Sequence, residues 1–129
     1  MVEDINKKLV VCVEDDEHVR DALQGLLRAN GMLVATFASA DEFLNSAELQ
    51  NAACLVTDIQ LGGISGLDLL ERLVTIAKRI PSILITAHSD VAAGERATSS
   101  GAIAIFQKPV DPTNLMNAIR RALQKAPGP

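Results

Sequence analysis

The chain has no tryptophan and no tyrosine, and its three phenylalanines are scattered. Aromatic platforms on which single-stranded nucleic acid could stack are therefore missing. Positive charge is scarce as well: 12 Lys and Arg stand against 16 Asp and Glu, a formal net charge of −4. Nucleic-acid phosphates attract clustered cations, so this chain alone has no electrostatic reason to bind DNA or RNA. No apolar run approaches the roughly 20 residues that a membrane helix needs. Met1 to Lys8 is polar and mixed in charge, without the apolar run and small-residue cleavage site of a signal peptide. A cytoplasmic protein with no membrane partner is expected. There are only two cysteines, Cys12 and Cys54. Both lie inside apolar runs, where a cysteine acts as a small buried hydrophobe, so no disulfide framework is expected.

What is present is regular. The 129 residues fit one domain spanning 1–129, with an ordered core over about 8–125. Short β-branched runs alternate with helix-period segments five times, the pattern of an α/β parallel sheet covered by helices on both faces. Leu9–Val13 is apolar throughout, as a central parallel strand buried on both faces should be. It ends abruptly in Glu14-Asp15-Asp16. A first helix follows with Val19, Ala22, Leu23, Leu26 and Leu27 on its inner face and Asn30-Gly31 as its C-cap. A strand over Leu33–Phe37 leads to a Ser39/Glu42 capping box and a helix carrying Phe43, Leu44 and Ala47. The third strand, 53–57, ends on Asp58. A loop with Gly62, Gly63 and Gly66 then opens a helix with Leu70, Leu73, Val74 and Ala77 inward, stopped by Pro81. Strand four, 82–85, ends at Thr86, and strand five, 102–106, ends before Gln107-Lys108-Pro109. Between them lies a weak helix over Val91–Ser99, where Gly94 lowers helix propensity by about 1 kcal/mol. The last helix has Asp111 as N-cap, Pro112 at its first position, and Leu115, Met116, Ile119, Ala122 and Leu123 inward.

In an open parallel sheet, ligands bind beyond the carboxyl ends of the strands. Glu14, Asp15, Asp58, Thr86 and Lys108 all fall there. If strands one and three are neighbours, as in the flavodoxin-like order 2-1-3-4-5, three carboxylates converge in one crevice. Two like charges about 4 Å apart repel by roughly 4 kcal/mol at an effective dielectric near 20, so a cation is needed. Oxygen-only ligands with positions left for water suit Mg2+ better than zinc. A carboxylate beside Mg2+ and the Lys108 ammonium is suited to in-line attack on phosphorus, with Thr86 donating a hydroxyl to the phosphoryl oxygens.

The runs Val13-Glu14-Asp15-Asp16, Leu55-Val56-Thr57-Asp58, Ile85-Thr86-Ala87-His88 and Phe106-Gln107-Lys108-Pro109 resemble the receiver domains of two-component response regulators. Among these, the chain looks most like receivers that precede helix-turn-helix output domains. The resemblance implies that Asp58 is the phosphoacceptor, served by a sensor histidine kinase or phosphotransfer protein. It implies that Asp15 binds Mg2+ directly, Glu14 through water, and Gln60 through its backbone carbonyl. It also implies that Thr86 and Lys108 bind the phosphoryl oxygens. The chain would be no enzyme beyond its own phosphoryl transfer and dephosphorylation. A homodimer or an output domain would contact the fourth helix, fifth strand and fifth helix. Asp16 reads as a first-turn acid favoured by the helix dipole, His18 as a solvated residue, and His88 as a solvent-facing gate.

The chain departs from the family pattern in three places, the mildest being Gln60 and His88 at two naturally variable positions that in the family tune dephosphorylation. Leu61-Gly62 replaces the usual Met-Pro, which is expected to loosen the loop beside the metal. Ile105 replaces the usual switching aromatic, and Phe106 should face the opposite side. An FMN site is excluded because three acids follow the first strand, where a phosphate cradle would be needed. An aspartyl phosphatase would carry Asp-x-Asp after the first strand, and the glycines at 62–66 lack the Lys-Ser/Thr of a nucleotide loop. The remaining alternative is a receiver-like scaffold with an unused pocket that serves only in protein contact.

Overall fold

The computed structural model describes residues 7–87 and 91–125. Five strands, β1 (Leu9–Val13), β2 (Leu33–Phe37), β3 (Ala52–Asp58), β4 (Ser82–Thr86) and β5 (Ala102–Gln107), form one sheet in the order β2-β1-β3-β4-β5. Every pairing is parallel. The helices are α1 (Glu17–Ala29), α2 (Ala40–Leu44), α3 (Gly66–Thr75), α4 (Val91–Ser99) and α5 (Pro112–Lys125). This is the flavodoxin-like arrangement that the alternating pattern implied.

Alternate side chains of each strand enter opposite layers, as the period of two requires. Val10, Cys12, Cys54, Val56, Ile83 and Ile85 pack with Leu27 of α1 and with Leu115, Ile119 and Leu123 of α5. Val11, Val13, Leu55 and Leu84 pack on the other face with Phe43 of α2, Leu69, Leu70 and Leu73 of α3, and Ala97 of α4. Cys12 and Cys54 are free thiols with no exposed surface. Burial pushes both thiols up, so neither supplies a thiolate at neutral pH.

Four local expectations need correction. Asp16 is the N-cap of α1, not a first-turn acid: its Oδ1 accepts from the His18 and Val19 amides at 2.9 and 3.1 Å. Of the five residues expected on the inner face of α1, Leu27 is fully buried and Leu23 and Leu26 pack partly buried against the core, but Ala22 and Val19 are exposed, Val19 by 38%. α2 stops at Leu44, and Ala47 opens a separate 3-10 turn over Ala47–Gln50. α3 ends at Thr75, well before Pro81, and Val74 is 43% exposed.

The early end of α3 has a hydrogen-bonding cause. Lys78 N donates to Leu73 O at 2.8 Å and Ala77 N to Val74 O at 3.0 Å, the paired bonds of a Schellman motif. α1 ends in the same way, with Met32 N on Leu27 O and Gly31 N on Arg28 O. There a glycine takes the left-handed position at φ 77°, whereas in α3 an alanine takes it at φ 59°. A Cβ in that region costs about 1 kcal/mol. Ala77→Gly is therefore expected to stabilise the chain by somewhat less than that, after the glycine's greater unfolded-state entropy. A small rise in thermal midpoint checks this.

Candidate functional site

The sheet ladder runs past the strand ends and fixes the backbone of the site. Glu14 N donates to Phe37 O (3.0 Å), Ile59 N to Ile85 O (2.9 Å) and Lys108 N to Thr86 O (2.8 Å). Three elements of the sequence pattern, Glu14 after β1, Asp58 closing β3 and Lys108 after β5, thereby come to one point. Asp58 is only 4% exposed. Its Oδ1 accepts from Gln60 N at 2.9 Å and its Oδ2 from Lys108 Nζ at 2.5 Å. Glu14 is also 4% exposed. Its Oε2 accepts from Asp16 N at 3.1 Å, and its Oε1 lies 3.9 Å from Lys108 Nζ. The Lys108 ammonium thus bridges two nearly buried carboxylates, and its hydrogen bond to Asp58 raises its pKa above the ordinary lysine value.

Thr86, 3% exposed, closes β4. The Gln60 side chain spans from the β3–α3 loop to the end of β4: Nε2 donates to Thr86 Oγ1 at 3.5 Å, and Oε1 accepts from Ala87 N at 3.4 Å. The resemblance pointed to Gln60 for its carbonyl and as one of two variable positions that tune dephosphorylation; these side-chain contacts themselves were not anticipated. His88 lies outside the described residues. His18 is exposed, as expected.

Asp15 behaves differently from the other two acids. It is exposed, and its Oδ2 accepts from Gly62 N at 3.2 Å. Among the described residues, no three Asp, Glu, His or Cys side chains gather tightly enough to hold a metal between them. The three carboxylates are thus arranged as a pair on Lys108, with Asp15 in contact with Glu14 and its Oδ2 on a backbone amide. The loop at Gly62 is tied to the β1–α1 turn by that hydrogen bond. A proline at position 62 would have no N–H to donate.

Arg20, one turn into α1, was not singled out by the sequence. Its Nη1 donates to Glu14 O at 2.9 Å and holds the acidic turn from below. Gly66 was read as part of a glycine loop, but it is the first residue of α3 and its place is set by a close approach. A Cβ there would sit 2.3 Å from Asp58 O. Nothing in local sequence signals such a tertiary contact.

The donor set fits a hard divalent cation. All side-chain donors are oxygen, and three carboxylates against one ammonium leave two negative charges. The pKa of Glu14 is pushed up to about 7, chiefly by burial, with its contact with Asp15 and the charge of Asp58 adding to the rise. A folded-state pKa above the unfolded value of 4.5 means that the folded chain holds a proton the unfolded chain releases. Stability from this group is full below about pH 4.5 and is lost as pH rises through about 7. In metal-free buffer at pH 8, Glu14→Gln should therefore gain roughly 2 to 3 kcal/mol on the wild type, with the gap closing by pH 5. Urea unfolding at the two pH values measures it.

Residues 10–120 match the response regulator receiver domain family, and the chain belongs to that family. Receiver domains function in two-component phosphorelay signalling and in general bind Mg2+. The chain is 37% identical over 121 residues to the response regulator protein TmoT of Ectopseudomonas mendocina, across 94% of this chain and 55% of that protein. It is 39% identical over 110 residues to the transcriptional regulatory protein FixJ of Rhizobium meliloti, across 85% of this chain and 54% of that one. The chain spans about half the length of the curated relatives it matches. Among solved structures, the crystal structure of FixJ-N superposes with a TM-score of 0.85 at 35% identity, covering 99% of this chain and 100% of that one. The response regulator StyR superposes with a TM-score of 0.83 at 41% identity, covering 91% and 60%.

Proposed function

We propose that Asp58 accepts a phosphoryl group from a sensor histidine kinase or phosphotransfer protein. The observation that carries this reading is Asp58 itself. It is a nearly buried carboxylate at a strand end, with one oxygen held by Lys108 and the other by the Gln60 amide. An Asp58 oxygen attacks phosphorus as the P–N bond to the donor imidazole breaks, and the imidazole leaves as the neutral base once protonated. Lys108 and the Thr86 hydroxyl bind the phosphoryl oxygens, where charge is spread in the transition state. Glu14, Asp15, Asp58 and the Gln60 carbonyl would hold Mg2+, which supplies charge neutralisation at those oxygens. The chain would then catalyse only its own phosphorylation and dephosphorylation.

A cavity of about 510 Å3 beside the site supports a helical donor. Val19, Ala22, Leu23 and Leu26 of α1 line it opposite Pro109 and Val110, and Glu14 and Lys108 reach it too. An amphipathic helix laid in such a groove could present a phosphohistidine to Asp58. Val19 and Ala22, first read as core, thus serve better as a docking face. For the output side, Ile105 is 39% exposed and its Cδ1 lies 4.0 Å from a Cβ built on Gly94 of α4. Phe106 instead packs into the α1/α5 layer. The face of α4, β5 and α5 is the proposed contact for a second copy or an output domain, in the cytoplasm where a kinase would act.

Incubation with Mg2+ and a small phosphodonor, followed by intact-mass measurement, tests the reading. One added phosphoryl group on the wild type and none on Asp58→Asn supports it. Equal labelling of both, or no labelling, favours the scaffold with an unused pocket. Val19→Asp should slow transfer from a donor protein while leaving small-donor labelling unchanged.

A further inference from the structure

A second cavity, of about 360 Å3, lies at the opposite end of the sheet, where β4 and β5 begin. Five residues of strand separate this edge from the site, roughly 15 Å. Lys78 and Arg79 from the α3–β4 connection, Lys125 from the end of α5, and Ser100 after α4 line it, with Leu73 and Ile103 among its apolar walls. Three cations from two separate segments thus surround one concave space in a chain whose net charge is −4.

Among the described residues, these cations have no counter-charge. Arg96, on α4, is neutralised by Glu71 at 2.8 Å and Asp68 at 3.5 Å. Lys78 donates to the neutral amide oxygen of Gln50, at 2.6 Å, and makes no ion pair among the described residues. Arg79 and Lys125 make no ion pair or side-chain hydrogen bond among the described residues. Compensation of a helix dipole accounts for Lys125 in the last turn of α5. It does not account for Arg79, which lies four residues past the end of α3 and outside the range of that dipole.

We infer that this cavity binds a small organic phosphate whose ring body rests on the apolar wall and whose phosphate meets Arg79, Lys78 and Lys125. Guanidinium takes a phosphate through two parallel hydrogen bonds, and the lysines add charge. The Ser100 hydroxyl is a further donor for the ligand's polar groups. The volume is at the small end of the range for ligand pockets, which suits a body of one nucleoside or aryl group. This site is independent of phosphoryl transfer at Asp58.

Adenosine monophosphate is the probe, titrated into the 15N-labelled full chain in EDTA. Saturable shifts confined to the amides of 78–80, 82 and 99–103, weakened about tenfold or more in Arg79→Gln/Lys125→Gln, are expected. Adenosine and inorganic phosphate, each lacking half of the recognised chemistry, should bind at least about tenfold more weakly than the monophosphate. The inference is overturned by absence of saturable binding in the millimolar range, or by inorganic phosphate binding as well as the nucleotide. Shifts that centre on 58–62, or that ignore the double substitution, overturn it too. Both substituted residues are exposed, and an unchanged thermal midpoint shows that the variant remains folded.

Discussion

Replacing Gly66 with alanine should destabilise the chain by about 3 kcal/mol, the upper end of what overpacking costs. The added Cβ would lie 2.3 Å from Asp58 O, 3.0 Å from Asp58 C and 3.1 Å from the Ile59 Cα. All three are backbone atoms, and no flexible side chain can yield in their place. Relief has to come from moving either the start of α3 or the end of β3. The first breaks the Gly66 N to Ile59 O hydrogen bond of 3.0 Å and disturbs the Ser65/Asp68 capping box. The second moves Asp58 off Lys108. The variant should therefore show both a lower urea midpoint and slower phosphorylation. An unchanged midpoint would contradict the close approach.

Lys108→Met is expected to slow small-donor phosphorylation by roughly a hundredfold, the usual cost of removing one charge-stabilising donor from a reacting oxygen. The same change leaves Glu14 and Asp58 without the ammonium that lies 3.9 and 2.5 Å from them. Breaking a buried pair costs about 3 to 5 kcal/mol, but the Lys108 side chain is 38% exposed. Solvent screening reduces the loss to about 1 to 2 kcal/mol. Stability and labelling rate measured on the same preparation separate these effects: the rate should fall far more than the stability. A variant that labels at the wild-type rate would remove Lys108 from the chemistry.

The sheet was legible because parallel strands buried on both faces read as unbroken apolar runs, and Leu9–Val13 is one. Singly, each of Glu14, Asp58, Thr86 and Lys108 reads as readily as a cap or a solvated turn; they were legible because all four fall together at the carboxyl ends of the strands. What escaped depends on tertiary placement. Helical periodicity identified the α1 stripe from Val19 to Leu27, but it cannot tell whether an apolar face is covered. Here Leu27 is fully buried, Leu23 and Leu26 are partly buried against the core, and the stripe from Val19 to Leu26 also lines a groove. Pro81 is the breaker that sequence offers for α3, yet the helix closes earlier, on a Schellman pair that an alanine makes as a glycine would. Gly66 looked like loop flexibility, whereas its role is the absence of a Cβ against the Asp58 backbone. Asp15 could not be seen to turn toward Gly62, because that bond joins residues 47 apart.

The most direct test of phosphoryl acceptance at Asp58 is to phosphorylate the chain with Mg2+ and a small phosphodonor, reduce the acyl phosphate with borohydride, and locate the modified residue by tandem mass spectrometry. The account predicts reduction of a single side chain, at position 58, dependent on Mg2+ and absent without the donor. Modification at another carboxylate, or none at all in folded protein, would contradict it.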